Sequence, residues 1–536
     1  MEKEQNPELK NQEIAYFSME IALESDVPIY SGGLGILAGD TLRSAADLEL
    51  PLVAVTLTYN AGYFYQMLSP DGSQVERDIE WVFSNDFQKI NQQVDLELQD
   101  KKISVEAWQY NIIGRNGHVI PIILLDTDLP KNESWQRRLT HVLYDANPFQ
   151  RLVQEMILGI CGIKMLQKLG YNNLNIFHIN EGHAAFLIFE LLKKYQTIDK
   201  VRKHCVFTTH TPVKAGLQEF DYNLVTDAFR NRLPGEIREL AGENNLNMTI
   251  LALNSSRYTN AVSKKHAETS REMFPNYEID SITNGIHLRF WLSKYMEQLF
   301  NENFGRAWHY NFRILNRAHE LDEHEIWRYH LKAKNDLIDY ESSHSWILLD
   351  KKLLTIGFAR RMAEYKRPLL LFTNLERLAK IAQNNVQFIF AGKAHPADSS
   401  AKSYIKKIND FSDYLWNSYQ IGVVFLENYE INLTKLLVSG VDVWLNTPRR
   451  YMEASGTSGM KAAINGVLNF SVLDGWWIEG YQMSNKMGGW KIGPEPHTID
   501  IREMNDSSDA TDLYNTLEQK IIPLFKKNRN KWQERM

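Results

Sequence analysis

Residues 453–461, EASGTSGMK, carry the densest chemical signal in the chain. Ser455, Gly456, Thr457, Ser458 and Gly459 are small, and they lead into what reads as a helix running through Lys461. A glycine-rich turn entering a helix points backbone N–H groups at an anion. A lysine just inside that turn feels the positive helix end and neighbouring bases, which lower its pKa and favour imine chemistry. The same spacing also suits a flexible loop with a solvated lysine.

Other clusters raise similar alternatives. Arg360, Arg361, Lys366 and Arg367 follow an apolar run. Charge runs are usually solvated helix starts, yet cations at a helix N-terminus oppose its dipole unless an anion is present. Residues 31–35, SGGLG, resemble a dinucleotide fingerprint through Gly33, Gly35 and Ala38. The run 52–59 that follows lacks the terminal acidic residue a ribose contact needs. Glycines there still allow close backbone approach to an oxyanion. His178, Glu181 and His183 are too irregularly spaced for a metal motif, and no third cluster supports one, so no metal is expected. His210 follows an apolar run and reads as structural or as a site residue. Asn284–Gly285 alone is a turn signal. Residues 392–396, GKAHP, are not a Walker A loop: Gln387 stands in place of its first glycine and Ala394 in place of its Ser or Thr.

These groups need a scaffold larger than one core. The chain has 536 residues, and single cores stop growing at roughly 250–300. Continuous apolar runs at 52–59, 119–125, 174–179 and 204–208 read as buried strands, with helices at 148–169 and 182–195. In the second half, 353–358, 386–391, 422–426 and 441–445 read as strands, with helices at 369–382 and 433–438 between them. A charged helix is expected over about 319–334. The alternation predicts an α/β protein of two doubly wound, Rossmann-like domains, 1–295 and 296–536, facing a central cleft. Net charge is −6, which argues against a broad nucleic-acid surface. Cys161 and Cys205 lack CxxC spacing, so neither a disulfide framework nor a cysteine-ligated zinc is expected. No signal core and no membrane-length apolar run are read, so the expected location is cytoplasmic, without membrane.

The segment from Asn446 through EASGTSGMK to Leu473-Asp-Gly-Trp-Trp477 resembles the pyridoxal-phosphate lysine region of the glycogen and α-glucan phosphorylases, short bacterial-type branch. Further segments match in order, from about Ala15 to about Gly493. They are SGGLG, FHINEGHA at 177–184, FTTHT at 207–211, ITNGIH at 282–287 with Trp291, FARRMAEYKR at 358–367, GKAHP, and Glu427-Asn-Tyr429. The resemblance implies the two-domain fold of glycosyltransferase-B type. It implies phosphorolysis of terminal α-1,4-glucosidic bonds by orthophosphate, with retention, to give glucose 1-phosphate.

It also assigns roles. Lys461 carries pyridoxal phosphate, with Arg360, Lys366, Thr457, Ser458, Tyr429 and Trp291 around the cofactor. Arg361 and Lys366 serve the substrate phosphate, and His210 lines the glucosyl site with a catalytic part. Gly32, Gly33, Glu181, Asn284, Glu453, Ser455 and Gly456 bind substrate. The partners implied are α-1,4-glucan and orthophosphate, with a homodimer open. Three departures stand out. Tyr451 replaces a usual proline, the chain ends at Met536 before a further helix expected to return to the first domain, and the extensions that carry allosteric sites are not seen. Two alternatives remain: a nucleotide-sugar α-glucan glucosyltransferase of the starch-synthase type, and a catalytically silent glucan-binding homologue.

Overall fold

The computed structural model describes residues 12–79, 81–496 and 505–536. It divides into two compact units. The first comprises residues up to Phe64 and Asp78–Gly285; the second comprises Tyr65–Arg77 and Ile286–Met536.

The first unit is built on strands β1 (Ile14–Ser18), β2 (Leu52–Leu57), β5 (Gln88–Leu98), β6 (Lys101–Ile113), β7 (Val119–Asp126), β8 (Ile176–Asn180), β9 (Cys205–Thr208), β12 (Tyr258–Ala261) and β13 (Asp280–Ser281). A small antiparallel pair, β10 (Glu219–Asp221) and β11 (Asn245–Asn247), lies apart, and β3 (Tyr65–Leu68) and β4 (Gln74–Arg77) form a hairpin of the second unit. The sheet order is β13-β12-β9-β8-β1-β2-β7-β6-β5. It is parallel from β13 to β7, and β6 and β5 add on antiparallel. Every residue of β2 is buried, as a parallel strand covered on both faces requires. The chain lays β1, β2 and β7 to one side and then returns to place β8 against the other edge of β1. That reversal is the switch point at which ligands of such sheets collect, at the carboxyl ends of the strands.

The second unit carries β14 (Leu354–Ala359), β15 (Val386–Ala391), β16 (Val423–Leu426), β17 (Val443–Asn446), β18 (Leu468–Val472) and β19 (Gly489–Ile492). All pair in parallel, in the order β16-β15-β14-β17-β18-β19. The reversal falls between β14 and β17. Helices Asp506–Thr516, Ile522–Lys527 and Arg529–Arg535 pack within this unit; Trp532 is fully buried against Trp490 and Phe525.

Most expected strands lie within two residues of their observed ends. The 148–169 helix is interrupted by a π turn at Ile157–Cys161. The helix expected over 182–195 starts only at Leu187, after a 3-10 turn at Gly182–Ala184. The 369–382 helix breaks at Asn374, whose side chain caps a new helix at Leu375–Ala382 by accepting from the Arg377 N–H. The charged helix is longer than expected, Glu323–Ser342. Among the described residues no helix is long and apolar enough to cross a membrane.

Candidate active site

In the first unit the singled-out residues follow the carboxyl ends of β1, β8, β9 and β13. Glu181, just after β8, accepts from the Gly182 N–H (2.8 Å), the His210 N–H (2.8 Å) and the Thr211 hydroxyl (3.0 Å). Its carboxylate thus latches the end of β8 to the segment after β9. Burial raises its pKa above the ordinary carboxyl value against these bonds. The His210 ring meets Asn180 Oδ1 through Nε2 at 2.8 Å. Asn180 Nδ2 donates to Ser18 Oγ (3.1 Å), so its Oδ1 faces the histidine as an acceptor and Nε2 carries the proton. Burial pushes the His210 pKa down to about 3. The ring is therefore neutral near pH 7, with Nδ1 left as an acceptor. Asn284 lies after β13 and is half-buried; its N–H donates to Val262 O (3.0 Å).

The SGGLG loop opens the Gly33–Asp47 helix, with Gly32 as N-cap. No local side chain caps it and its first turn has no acidic residue. Instead, Glu20 from the end of β1 supplies the carboxylate. Its Oε2 accepts from the N–H groups of Ser31 (2.6 Å) and Gly32 (3.2 Å), and its Oε1 from the Tyr144 hydroxyl (2.6 Å). The Gly32 N–H expected at a substrate anion is thus engaged by Glu20.

In the second unit, β14 leads to Arg360 and β17 to Glu453, across the switch point. Arg360 is 6% exposed and pairs with the Glu453 carboxylate through Nη2. Its buried Nη1 has no hydrogen-bond partner among the described residues. Burial pushes the Glu453 carboxyl up, but Arg360 and Lys366 outweigh this and hold it below its ordinary value. Lys366, in the 3-10 turn Glu364–Lys366, is pushed down to about 7 by burial and then by Arg360. Arg361, in the same basic cluster, is exposed. Arg367 turns away from that cluster. It donates to Thr447 O and Pro448 O (both 2.9 Å) and pairs with Asp509 (2.8 Å), tying the Asp506–Thr516 helix to the segment after β17.

The Ser458–Ala463 helix carries Lys461. Among the described residues, the N–H groups of Thr457 and Ser458 donate no hydrogen bond, and the buried Ser455 Oγ has no partner. Lys461 is 4% exposed, and its Nζ lies 3.8 Å from the centre of the Trp291 ring. Such a desolvated cation–π contact is worth about 2 kcal/mol. Asn465 holds the two together: Nδ2 donates to Trp291 O (3.0 Å) and Lys461 O (2.9 Å), and Oδ1 accepts from the Ser293 N–H (2.8 Å). Tyr429, after β16, packs against the cluster containing Trp444 and Ala462, and burial pushes its phenol up to about 12. Asp474, after β18, accepts from the N–H groups of Glu453 (2.9 Å) and Gly475 (2.8 Å) and so fixes the start of EASGTSGMK.

This arrangement suits a phosphate-bearing group. Unbonded amides at a helix start, an orphaned buried guanidinium nitrogen and a lysine driven toward neutrality by burial and adjacent cations all ask for an anion. A buried lysine one helical turn on can hold the other end of such a group. Among the described residues no group of three His, Cys, Asp or Glu could hold a metal ion. Glu20, Asn465 and Asp474 escape a reading of the sequence as positioning groups. Asn465 and Asp474 stand inside segments that the motifs single out; Glu20 gives no local signal.

Two α/β units, each built on a largely or wholly parallel sheet with polar groups at its strand switch point, fit a glycosyltransferase-B type enzyme. The profile of the carbohydrate phosphorylase family matches residues 11–130 and 235–519. The maltodextrin phosphorylase of Thermococcus litoralis is 37% identical, over 97% of this chain and 67% of that relative. The glycogen phosphorylase of Aquifex aeolicus is 36% identical, over 96% of this chain and 80% of that relative. An uncharacterized protein of Methanocaldococcus jannaschii is 32% identical, over 94% of this chain and 92% of its own length. The chain belongs to the carbohydrate phosphorylase family.

Proposed function

We propose that this enzyme is a pyridoxal-phosphate-dependent α-glucan phosphorylase. It breaks the terminal α-1,4-glucosidic bond with orthophosphate and releases glucose 1-phosphate with retention. The observation that carries the reading is the second unit's buried Lys461 on a helix whose two starting amides are unbonded, with Arg360 and a buried Lys366 gathered on Glu453 of the same glycine-rich segment. Family membership supports the same reading.

Lys461 would hold the cofactor covalently, and Thr457, Ser458, Arg360 and Lys366 would hold its phosphate. Tyr429 and Trp291 would flank its ring. When bound, the cofactor supplies a phosphate group able to exchange protons with the substrate phosphate. The remaining work falls to side chains and amides of the chain. Arg361 and Lys366 bind orthophosphate and offset the repulsion between two adjacent phosphates, which is severe at low dielectric. Lys366, poised near neutrality, takes up a proton when the anion arrives. Neutral His210 accepts a sugar hydroxyl proton at Nδ1 in a hydrogen bond, and Asn180 keeps its ring in that tautomer. In the second unit Glu453, Ser455 and Gly456 would bind substrate, and in the first Glu181 and Asn284 would do so. Arg360 keeps Glu453 ionised as a hydroxyl acceptor. A pair of glycosidase-type carboxylates is not required.

The proposal includes a cytoplasmic location and leaves the chain free to form a homodimer. The test is release of glucose 1-phosphate from maltodextrin and orthophosphate without any nucleotide. Glucosyl transfer seen only from ADP-glucose or UDP-glucose would replace this reading with the synthase one.

A further inference from the structure

The two buried side chains of the β3–β4 hairpin, Gln66 and Gln74, are both amides, and both bond to loops of the second unit. Gln66 Nε2 donates to Gln74 Oε1 and to Gly392 O, each at 2.8 Å. Its Oε1 accepts from the Asn428 N–H (3.0 Å), and its own N–H donates to Asn428 Oδ1 (3.3 Å). Gln74 extends the ladder: Nε2 donates to Ala394 O and Oε1 accepts from the Ala394 N–H, both at 2.9 Å. A buried amide is costly unless hydrogen-bonded, and a fully bonded one fixes geometry that apolar contact leaves loose. Both loops held in this way lead into the proposed cofactor site. Asn428 has a φ of +51°, a left-handed turn immediately before Tyr429, and its reciprocal bonds with Gln66 hold that turn. The other loop follows β15 and lies against the chain after β14. There the Arg360 N–H donates to Ala391 O (3.1 Å) and the Met362 N–H to Lys393 O (2.9 Å). A Cβ on Gly392 would fall 1.8 Å from Arg360 O, so glycine is what permits the approach. One side chain, Gln66, thus ties the backbone before Tyr429 to the backbone beside Arg360.

We propose that Gln66 is a positioning residue for the pyridoxal phosphate site: it sets Tyr429 at the cofactor ring and Arg360 at the cofactor phosphate relative to one another. Removing its side-chain bonds frees the Asn428 turn to relax and takes a donor from Gly392 O. Lys461 is held separately, its carbonyl accepting from Asn465 Nδ2. The covalent attachment therefore survives the loss of Gln66, and the grip on the ring and phosphate is what loosens. The inference rests on the pyridoxal-phosphate reading for the identity of the ligand, and not for the brace itself.

The rate at which bound pyridoxal phosphate leaves the intact protein, read with the fluorescence of the bound cofactor, tests the role. Gln66→Ala should speed release about tenfold, the scale of one lost buried hydrogen bond. It should also shift the cofactor fluorescence, while borohydride still fixes the label on Lys461. Gln66→Met fills the same space without the side-chain bonds and should act in the same direction; it serves if Gln66→Ala folds poorly. Asn409→Ala is the control for a loosened hairpin as such. It removes the tie at the hairpin tip, where Asn409 Nδ2 donates to Gly72 O (3.1 Å), and should leave release and fluorescence as in the original protein. In cofactor-free protein, Gln66→Met should speed amide hydrogen exchange at Asn428 about tenfold. Gln66 variants that lose thermal stability yet release the cofactor at the original rate would overturn the proposal, as would an Asn409→Ala protein that releases it equally fast. An original protein that takes up no pyridoxal phosphate would sink the cofactor reading and this role with it. An Asn428 amide that exchanges equally fast in the original and in Gln66→Met would refute the brace alone.

Discussion

Two glycine-rich loops enter helices in this chain, one at residues 31–35 and one at 455–459, and they treat the positive helix end in opposite ways. In the first, Glu20 already satisfies the Ser31 and Gly32 amides. In the second, the Thr457 and Ser458 amides stay unbonded among the described residues, and the nearby carboxylate of Glu453 is engaged by Arg360. The first helix start thus carries a carboxylate of the chain itself. The second has a basic cluster on its Glu453, and there burial first and Arg360 second push the Lys366 pKa down to about 7. Similar glycine content thus meets different surroundings: a carboxylate of the chain sits at the first helix start, and the second helix start keeps unbonded amides among the described residues.

The largest expected break in this comparison comes from the basic cluster on Glu453, at the start of the second loop. Lys366→Ala should lower kcat/KM for orthophosphate by about 100- to 1,000-fold, the usual cost of removing one preorganised group that stabilises developing charge. Steady-state phosphorolysis measures it. A loss under tenfold would mean that the basic cluster is not used.

The two glycines of the first loop separate packing from function. Gly35→Ala forces a methyl against Glu20 and Tyr30 and should destabilise the fold by about 1–3 kcal/mol, read as a lowered denaturant midpoint. Gly33→Ala meets open space. It should leave the stability within about 0.5 kcal/mol, as substitutions away from packed features do, and act on the orthophosphate KM. If the two variants behaved alike, the contrast between Gly33 and Gly35 would fail.

The smallest effect is a fraction of a proton. Lys366 titrates near 7 in the free protein against an ordinary 10.5. An adjacent anion favours its charged form and raises that pKa. Between these values the bound state holds more protons, so anion binding takes up protons and weakens as pH rises. Calorimetry with sulfate at pH 8, in two buffers of different ionisation heat, should show uptake in the original protein and none in Lys366→Met. Equal heats in both buffers for the original protein would contradict it.

Much of this scaffold is legible in the sequence because buried parallel strands announce themselves. VQFIFA at Val386–Ala391 has the same bounds in sequence and structure. Asn147 and Pro148 start their helix as expected, the Asn147 side chain accepting from the Phe149 and Gln150 N–H groups. The antiparallel strands β5 and β6 go unread, since QKINQQVDLEL mixes its polar faces and slips register between Ile90 and Val94. The Tyr65–Arg77 hairpin gives no local sign of its unit either: Gln66 and Gln74 donate to Gly392 O and Ala394 O, 326 and 320 residues away. Lys461 is legible because its loop is local. Glu20 is not, because its partners lie 11, 12 and 124 residues on, and only folding brings them together.

The most direct test of the account is chemical. Protein incubated with pyridoxal phosphate, reduced with borohydride and digested should carry the pyridoxyl mass on the peptide containing Lys461, and Lys461→Ala should carry none there and release no glucose 1-phosphate. A Lys461→Ala protein that kept phosphorolytic activity, or an original protein labelled only at another lysine, would contradict it.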